Sequence, residues 1–162
     1  IHELEAALDE TVQLLTTFND KELNTVPFEG SWTPARVFYH LLSAEDGTDQ
    51  VLLEPMPVAS REPDEGVQGL KDIFLDFDTK MESPDFIFPE DRKYDREELE
   101  GPLQHIKEEM TKAARKVNLA ELAPLPEGHP FEGSTKLEIL HLMAYHTIRH
   151  NHQLKKIRKA LS

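Results

Sequence analysis

Apolar residues recur at spacings of three and four along most of the chain, which is the pattern of helices that bury one face. A first helix is predicted from about His2 to Phe18. A second begins where Thr33 can cap free backbone N–H groups and Pro34 fits the first turn, because its missing N–H is not needed there. The apolar face of this second helix continues to Val51.

Three further helices are predicted in the second half of the chain. One spans about residues 64–81 and turns Phe77 and Met81 inward, and the next spans about 95–117. The last helix opens at Thr135, which forms a capping-box pattern with Glu138. Its last turns carry Lys155, Lys156, Arg158 and Lys159, which suit the negative end of the helix dipole.

Segments rich in proline separate these helices. They cover about residues 55–63, 83–89 and 119–133, and the second of them is predicted to be an extended apolar segment. No stretch alternates with the period of two that marks a strand. We therefore expect an all-α fold, an antiparallel four-helix bundle with proline-rich connections, in a single domain over residues 1–162.

Two histidines and a glutamine interrupt the apolar stripe of the last helix. His146, His150 and Gln153 stand at i, i+4 and i+7, and at about 100° per residue they share one face. His40 falls in the same way on the apolar face of the second helix. Other helical histidines fall on polar sides, where we expect them to be solvated: His105, His141 and His152.

A single histidine on an apolar face is usually a core residue with one hydrogen bond. Three of them on two helices are harder to bury, because each imidazole without a partner costs about 1–3 kcal/mol. A divalent metal would satisfy His40, His146 and His150 together, since an i, i+4 pair can reach one ion. Three protein ligands leave a fourth position for water, as in catalytic zinc sites.

Composition excludes several classes of function. The net charge of −13 over 162 residues repels a phosphate backbone, so nucleic acid is not an expected partner. No apolar run is long enough to cross a bilayer and no signal peptide is visible, so neither is a membrane. The chain has no cysteine, which excludes disulfides and thiolate ligands and fits a cytoplasmic location.

Four other residues are candidates for the surroundings of a metal. Gln153 could orient a ligand histidine, or make an ordinary packing contact between helices. Arg149 and Tyr145 lie beside the histidine stripe, and Arg149 could hold a carboxylate of a substrate or form a surface ion pair. His129 lies in a loop that could reach the site or remain exposed. No carboxylate falls on either histidine face, so the nucleophile would be metal-bound hydroxide or thiolate.

Two motifs resemble the DinB/YfiT-like superfamily, and the resemblance covers essentially the whole chain. One is the segment Trp32–Pro34 followed by His40, and the other is His146-x-x-x-His150-x-x-Gln153. Further stretches are similar to one branch of uncharacterised members, at residues 61–64, 80–84 and 145–153.

The resemblance implies a four-helix bundle, usually a homodimer, in which His40, His146 and His150 hold zinc or nickel. It also implies a small-molecule partner, because some members are transferases or isomerases that use a low-molecular-weight thiol such as bacillithiol or mycothiol. The alternatives are a non-catalytic protein that binds a metal or a small ligand, with His129 or Gln153 as a fourth ligand, and a metal-free interaction module.

Overall fold

The computed structural model describes residues 1–81 and 88–162. Within those residues the chain is helical, and its β-type pairing is limited to two isolated bridges, Val58 with Glu121 and Leu122 with Thr135. The described part has seven helices: α1 (His2–Thr16), α2 (Asp20–Leu23), α3 (Pro34–Glu45), α4 (Thr48–Leu53), α5 (Val67–Phe74), α6 (Glu97–Lys116) and α7 (Lys136–Leu161). The expectation of an all-α fold is thereby confirmed for the described ranges.

The predicted starts of the two site-bearing helices are confirmed. The Thr33 side chain accepts from the backbone N–H of Arg36, and Pro34 is the first residue of α3. At α7 the Thr135 hydroxyl accepts from the Glu138 N–H at 3.1 Å, and the Glu138 carboxylate accepts from the Thr135 N–H at 3.0 Å. These caps satisfy N–H groups that the helices leave free and so fix where each helix begins.

The four longest helices pack against one another. Helix α1 contacts α6 and α7, and α3 contacts the same two helices. The main apolar core lies between these helices and includes Phe18, Phe38, Leu99, Leu154 and Ile157, all of them buried. The short helix α5 packs on the other side of α7, where Phe74 joins a separate apolar cluster.

The second predicted helix is interrupted, so the expectation of one helix as far as Val51 is wrong. Helix α3 ends at Glu45, and Gly47 follows with φ of +84°. That left-handed conformation is accessible to glycine at little cost and breaks the helix. The chain then resumes as α4, which carries Val51 and packs on α6.

The third predicted helix is shorter than the 64–81 pattern indicates, because α5 covers only Val67–Phe74. Phe77 and Met81, which were expected to face inward, are 42% and 46% exposed. The Asp76 side chain instead accepts from the backbone of Asp78 and from the Thr79 hydroxyl. Such local bonds offer the backbone an alternative to a further helical turn.

The extended segment predicted at 83–89 lies largely outside the described residues. Of its members, Phe88 and Pro89 are described, and the Phe88 ring meets the Trp32 ring edge-on at 5.5 Å.

No helix in the described ranges has both the length and the apolar character needed to cross a bilayer.

Candidate metal centre

Three histidines from two helices converge at one point in the fold. Helix α3 supplies His40, and α7 supplies His146 and His150 from successive turns. One ring nitrogen of each lies within 4.8 Å of the others. The structure thus brings together the three residues that the sequence analysis selected, although His40 is far from the other two in the chain.

The spacing of the ring nitrogens suits a shared ion. The Nε2 atoms of His40 and His146 are 3.2 Å apart. Two nitrogen ligands at about 2.0–2.1 Å from a tetrahedral zinc ion are roughly 3.3 Å from each other. The His150 ring completes the group, with its centroid 4.6 Å from each of the other two rings. The three residues therefore fit a divalent metal without rearrangement of the helices.

Burial keeps the imidazoles of His146 and His150 neutral and able to donate lone pairs. Burial, followed by the nearby His150 and His40 rings, holds the pKa of His146 well below its usual value. Burial and then the charge of His40 lower the pKa of His150 to about 3. Neutral imidazole is the form that binds a metal, so at neutral pH no proton has to be removed from either ring.

Gln153 orients one of the rings. Its Oε1 atom lies 2.8 Å from Nδ1 of His150, so that Nδ1–H donates and Nε2 keeps its lone pair. This is the supporting contact that metal-binding histidines usually have. His146 differs, because its Nδ1 atom is buried and has no hydrogen-bond partner among the described residues. A metal bound on its Nε2 side would leave that N–H to be satisfied elsewhere.

Aromatic rings form part of the wall around the histidines. The Trp32 ring lies 5.5 Å from that of His40, and the Phe74 ring meets His146 edge-on at 6.1 Å. The Arg36 guanidinium stacks over Trp32 at 5.3 Å. Apolar walls lower the local dielectric constant and limit the access of water, which strengthens electrostatic interactions at the site.

The hydrogen bonds of Arg149 are made to groups other than the three histidines. Arg149 donates to backbone carbonyls at and after the end of α5, at Phe74, Asp76 and Thr79. Its guanidinium therefore holds the end of α5 in place. Its charge adds to the lowering that burial causes in the pKa values of His146 and His150.

Tyr145 and His129 also have contacts outside the group formed by His40, His146 and His150, which we call the histidine triad. The Tyr145 ring is buried in the cluster between α5 and α7 and lies 5.6 Å from the His141 ring. Nδ1 of His129 accepts from the backbone N–H of Phe131 inside its own loop.

His141 was expected to be solvated and is instead half-buried. Its Nδ1 atom is enclosed without a partner among the described residues, and burial lowers its pKa. The expectation failed because the start of α1, with Glu3, and Asp64 lie near that side of α7, which a single-helix projection cannot show. His105 is exposed, as predicted.

Sequence reasoning missed Glu45, which is only 2% exposed. Its carboxylate accepts from the Thr147 hydroxyl at 2.8 Å, and burial raises its pKa to about 7. A signal was present, because Glu45 follows Leu41 by four residues and so falls about 40° from it on the apolar side of α3. Glu45 lies about 140° from His40 around α3, outside the stripe that carries the histidine.

Fold and site together define an all-helical protein with a candidate histidine metal centre between two of its long helices. The family model of the DinB superfamily matches residues 3–154. The chain therefore belongs to the DinB superfamily, as its motifs predicted. No curated protein and no solved structure matches the chain.

Proposed function

We propose that this protein is a metal-dependent enzyme of the low-molecular-weight-thiol transferase or isomerase type. The observation that carries the proposal is the convergence of His40, His146 and His150, whose ligand atoms lie within 4.8 Å of one another. No further histidine or carboxylate among the described residues belongs to that group. A three-nitrogen site of this kind leaves a coordination position for a substrate, which is typical of catalytic rather than structural zinc.

The roles of the chain's own residues follow from their positions. The three imidazoles would hold the ion, and Gln153 would fix the orientation of His150 through the 2.8 Å contact. A bound zinc or nickel ion would supply Lewis acidity that lowers the pKa of a thiol or a water molecule. The thiol would be an external small molecule, because the chain contains no cysteine.

The proposal is tested with protein that has been stripped of metal and then reloaded with zinc or nickel. Each form is assayed for addition of thiols, including bacillithiol and mycothiol, to a chromogenic electrophile. Turnover that needs both the metal and one thiol, and that is lost in His146→Ala, is the expected result. If no thiol reacts faster with the metal-loaded protein than in the uncatalysed reaction, that result would count against a transferase.

The alternative is a non-catalytic protein that binds a metal or a small ligand. The buried, unpartnered Nδ1 of His146 favours a small ligand, because a hydrogen-bonding group of that ligand could satisfy this atom. This alternative predicts tight metal binding and a large rise in melting temperature on loading, with no turnover of any thiol substrate.

The arrangement of the helices and the oligomeric state complete the proposal. The packing of α1, α3, α6 and α7 on one another suits an antiparallel four-helix bundle. A homodimer remains a prediction from the family resemblance. Light scattering after size-exclusion chromatography would report the mass directly, and a value near 18.6 kDa would indicate a monomer.

A further inference from the structure

A cavity of about 240 Å³ lies between the α3–α4 turn and the middle of α6. Four carboxylates line it, and the imidazole of His105 is the fifth ionisable side chain: Glu45, Asp46, Asp49, His105 and Glu109. No lysine or arginine is part of this lining. A concave site with four acidic groups and no lysine or arginine attracts cations and repels anions.

Glu45 distinguishes this cavity from an ordinary acidic surface. Its side chain is buried, and Oε1 accepts from the Thr147 hydroxyl at 2.8 Å. Oε2 is also buried and has no hydrogen-bond partner among the described residues. Burial raises the pKa of this carboxyl to about 7, although the hydrogen bond from Thr147 acts in the opposite direction. A buried carboxylate oxygen in this condition calls for a donor that the protein itself does not provide.

The spacing of the carboxylates argues against a directly coordinated metal ion. Oxygen ligands of Mg²⁺ or Ca²⁺ must approach within about 2.0–2.6 Å of one point. Among the described residues, the histidine triad is the group of three or more such side chains whose ligand atoms lie within 4.8 Å of one another. An ammonium group has a looser requirement, because its N–H donors point in several directions and each needs one acceptor.

We propose that this cavity binds a small organic ammonium ion, with Glu45 as the buried acceptor. Asp49 and Glu109 are half-buried on opposite sides of the opening, on α4 and α6, and would hold a second positive charge. The site shares no residue with the histidine triad, and its acceptors are carboxylate oxygens rather than imidazole nitrogens.

The size of the cavity limits the ligand. At about 30 Å³ per water molecule, its volume corresponds to roughly eight waters. A linear diamine with four carbons fits that space and can place one ammonium at Glu45 and the other at the rim. 1,4-Diaminobutane is therefore the probe, and 1,4-butanediol is the matched neutral control because it has the same length without the charges.

The test is isothermal titration calorimetry of the full chain at pH 8 and low salt. The diamine should bind with one site per chain and the diol should not. Glu45→Gln should weaken binding about tenfold, because the lost bond involves two charged groups. Glu109→Gln should weaken it about threefold, as expected for a partly exposed ion pair.

Glu108→Gln is the control for net charge. Glu108 adjoins Glu109 on α6, and its substitution changes the net charge by the same amount. Glu108 does not line the cavity. It should bind the diamine like the parent. His146→Ala should also retain binding, since the proposal does not rest on the metal centre.

Several outcomes would overturn the proposal. Equal weakening in Glu108→Gln and Glu109→Gln would assign the binding to the diffuse field of an acidic protein. Equal binding of diamine and diol would remove the role of charge, and absence of binding to the parent would reject the site. Competition by millimolar MgCl₂ at constant ionic strength would assign the cavity to a metal ion. If Glu45→Gln does not fold, diamine binding by Glu108→Gln and Glu109→Gln still tests whether the cavity is the binding site.

Discussion

The Nε2 atoms of His40 and His146 lie 3.2 Å apart, although 106 positions separate the two residues in the chain. The contact depends on the packing of α3 against α7. Two nitrogen lone pairs at this distance repel each other unless a proton or a metal lies between them. Its prediction concerns metal content. Protein purified without a histidine tag should contain close to one zinc or nickel ion per chain, measured by mass spectrometry of the elements.

Substitution should separate ligand histidines from the other histidines of α7. We expect His40→Ala and His146→Ala each to lose the metal, because two imidazoles hold zinc far more weakly than three. His152→Ala is the control, since its ring stacks on Phe77 at 4.1 Å and does not belong to the triad. Retention of the metal in His40→Ala would show that the ion does not bridge the two helices.

A second prediction concerns Gln153, whose Oε1 atom faces Nδ1 of His150 at 2.8 Å. Gln153→Leu should lower zinc affinity about tenfold or more, because the ring loses the contact that sets its tautomer and orientation. Gln153→Glu keeps an acceptor at that position and should keep or raise the affinity. Competition with a chromogenic chelator measures both, and equal affinity in Gln153→Leu and the parent would reduce Gln153 to a packing residue.

The parts of this site that local patterns specify could be predicted from the sequence. His146 and His150 share a face because of the period of one helix, and the caps at Thr33 and Thr135 follow from residue types at fixed spacings. The position of His40 opposite them needed the additional assumption that α3 packs on α7.

Features that depend on tertiary contacts were not predictable in the same way. The 64–81 pattern continues past Phe74, but Arg149 holds the carbonyls of Phe74 and Asp76 and the chain leaves the helix there. The burial of Glu45 depends on Thr147 in a different helix. The position of Glu45 on the apolar side of α3 and the Asp76 bonds after α5 are local signals, but neither identifies the partner residue on α7.

A third prediction follows from the raised pKa of Glu45. The pKa moves from 4.5 to about 7 on folding, so the folded protein holds this proton more tightly than the unfolded chain does. The associated stability is fully present below pH 4.5 and is lost as pH rises towards and through 7. A pKa shift from 4.5 to about 7 corresponds to a loss of about 3 kcal/mol in the free energy of unfolding.

Urea unfolding of metal-free protein in amine-free buffer, at intervals from pH 4.5 to 8, measures this effect. The quantity to follow is the difference in unfolding free energy between the parent and Glu45→Gln, because most other titrating groups cancel in it. The parent should lose stability relative to the variant as pH rises. A difference that stays constant across this range would mean that Glu45 titrates normally in the folded protein.

The fourth prediction concerns the junction between α5 and the start of α7, where Glu138 is buried. Its carboxylate accepts from the Arg61 guanidinium at 2.6 and 2.9 Å, and from the backbone N–H groups of Gly66 and Thr135. A Cβ atom at Gly66 would lie 2.8 Å from Oε2 of Glu138. These four bonds prevent the carboxylate from moving aside without loss, so Gly66→Ala should destabilise the fold by about 1–2 kcal/mol.

Gly69, three residues along the chain and inside α5, provides the matched control. A Cβ atom there meets nothing within 4 Å, so Gly69→Ala should gain helix propensity and stabilise the protein by up to about 1 kcal/mol. The same substitution should therefore have opposite signs at two neighbouring positions when unfolding by urea is measured at one pH. If Gly66→Ala were as stable as Gly69→Ala, the Glu138 network would not constrain this junction.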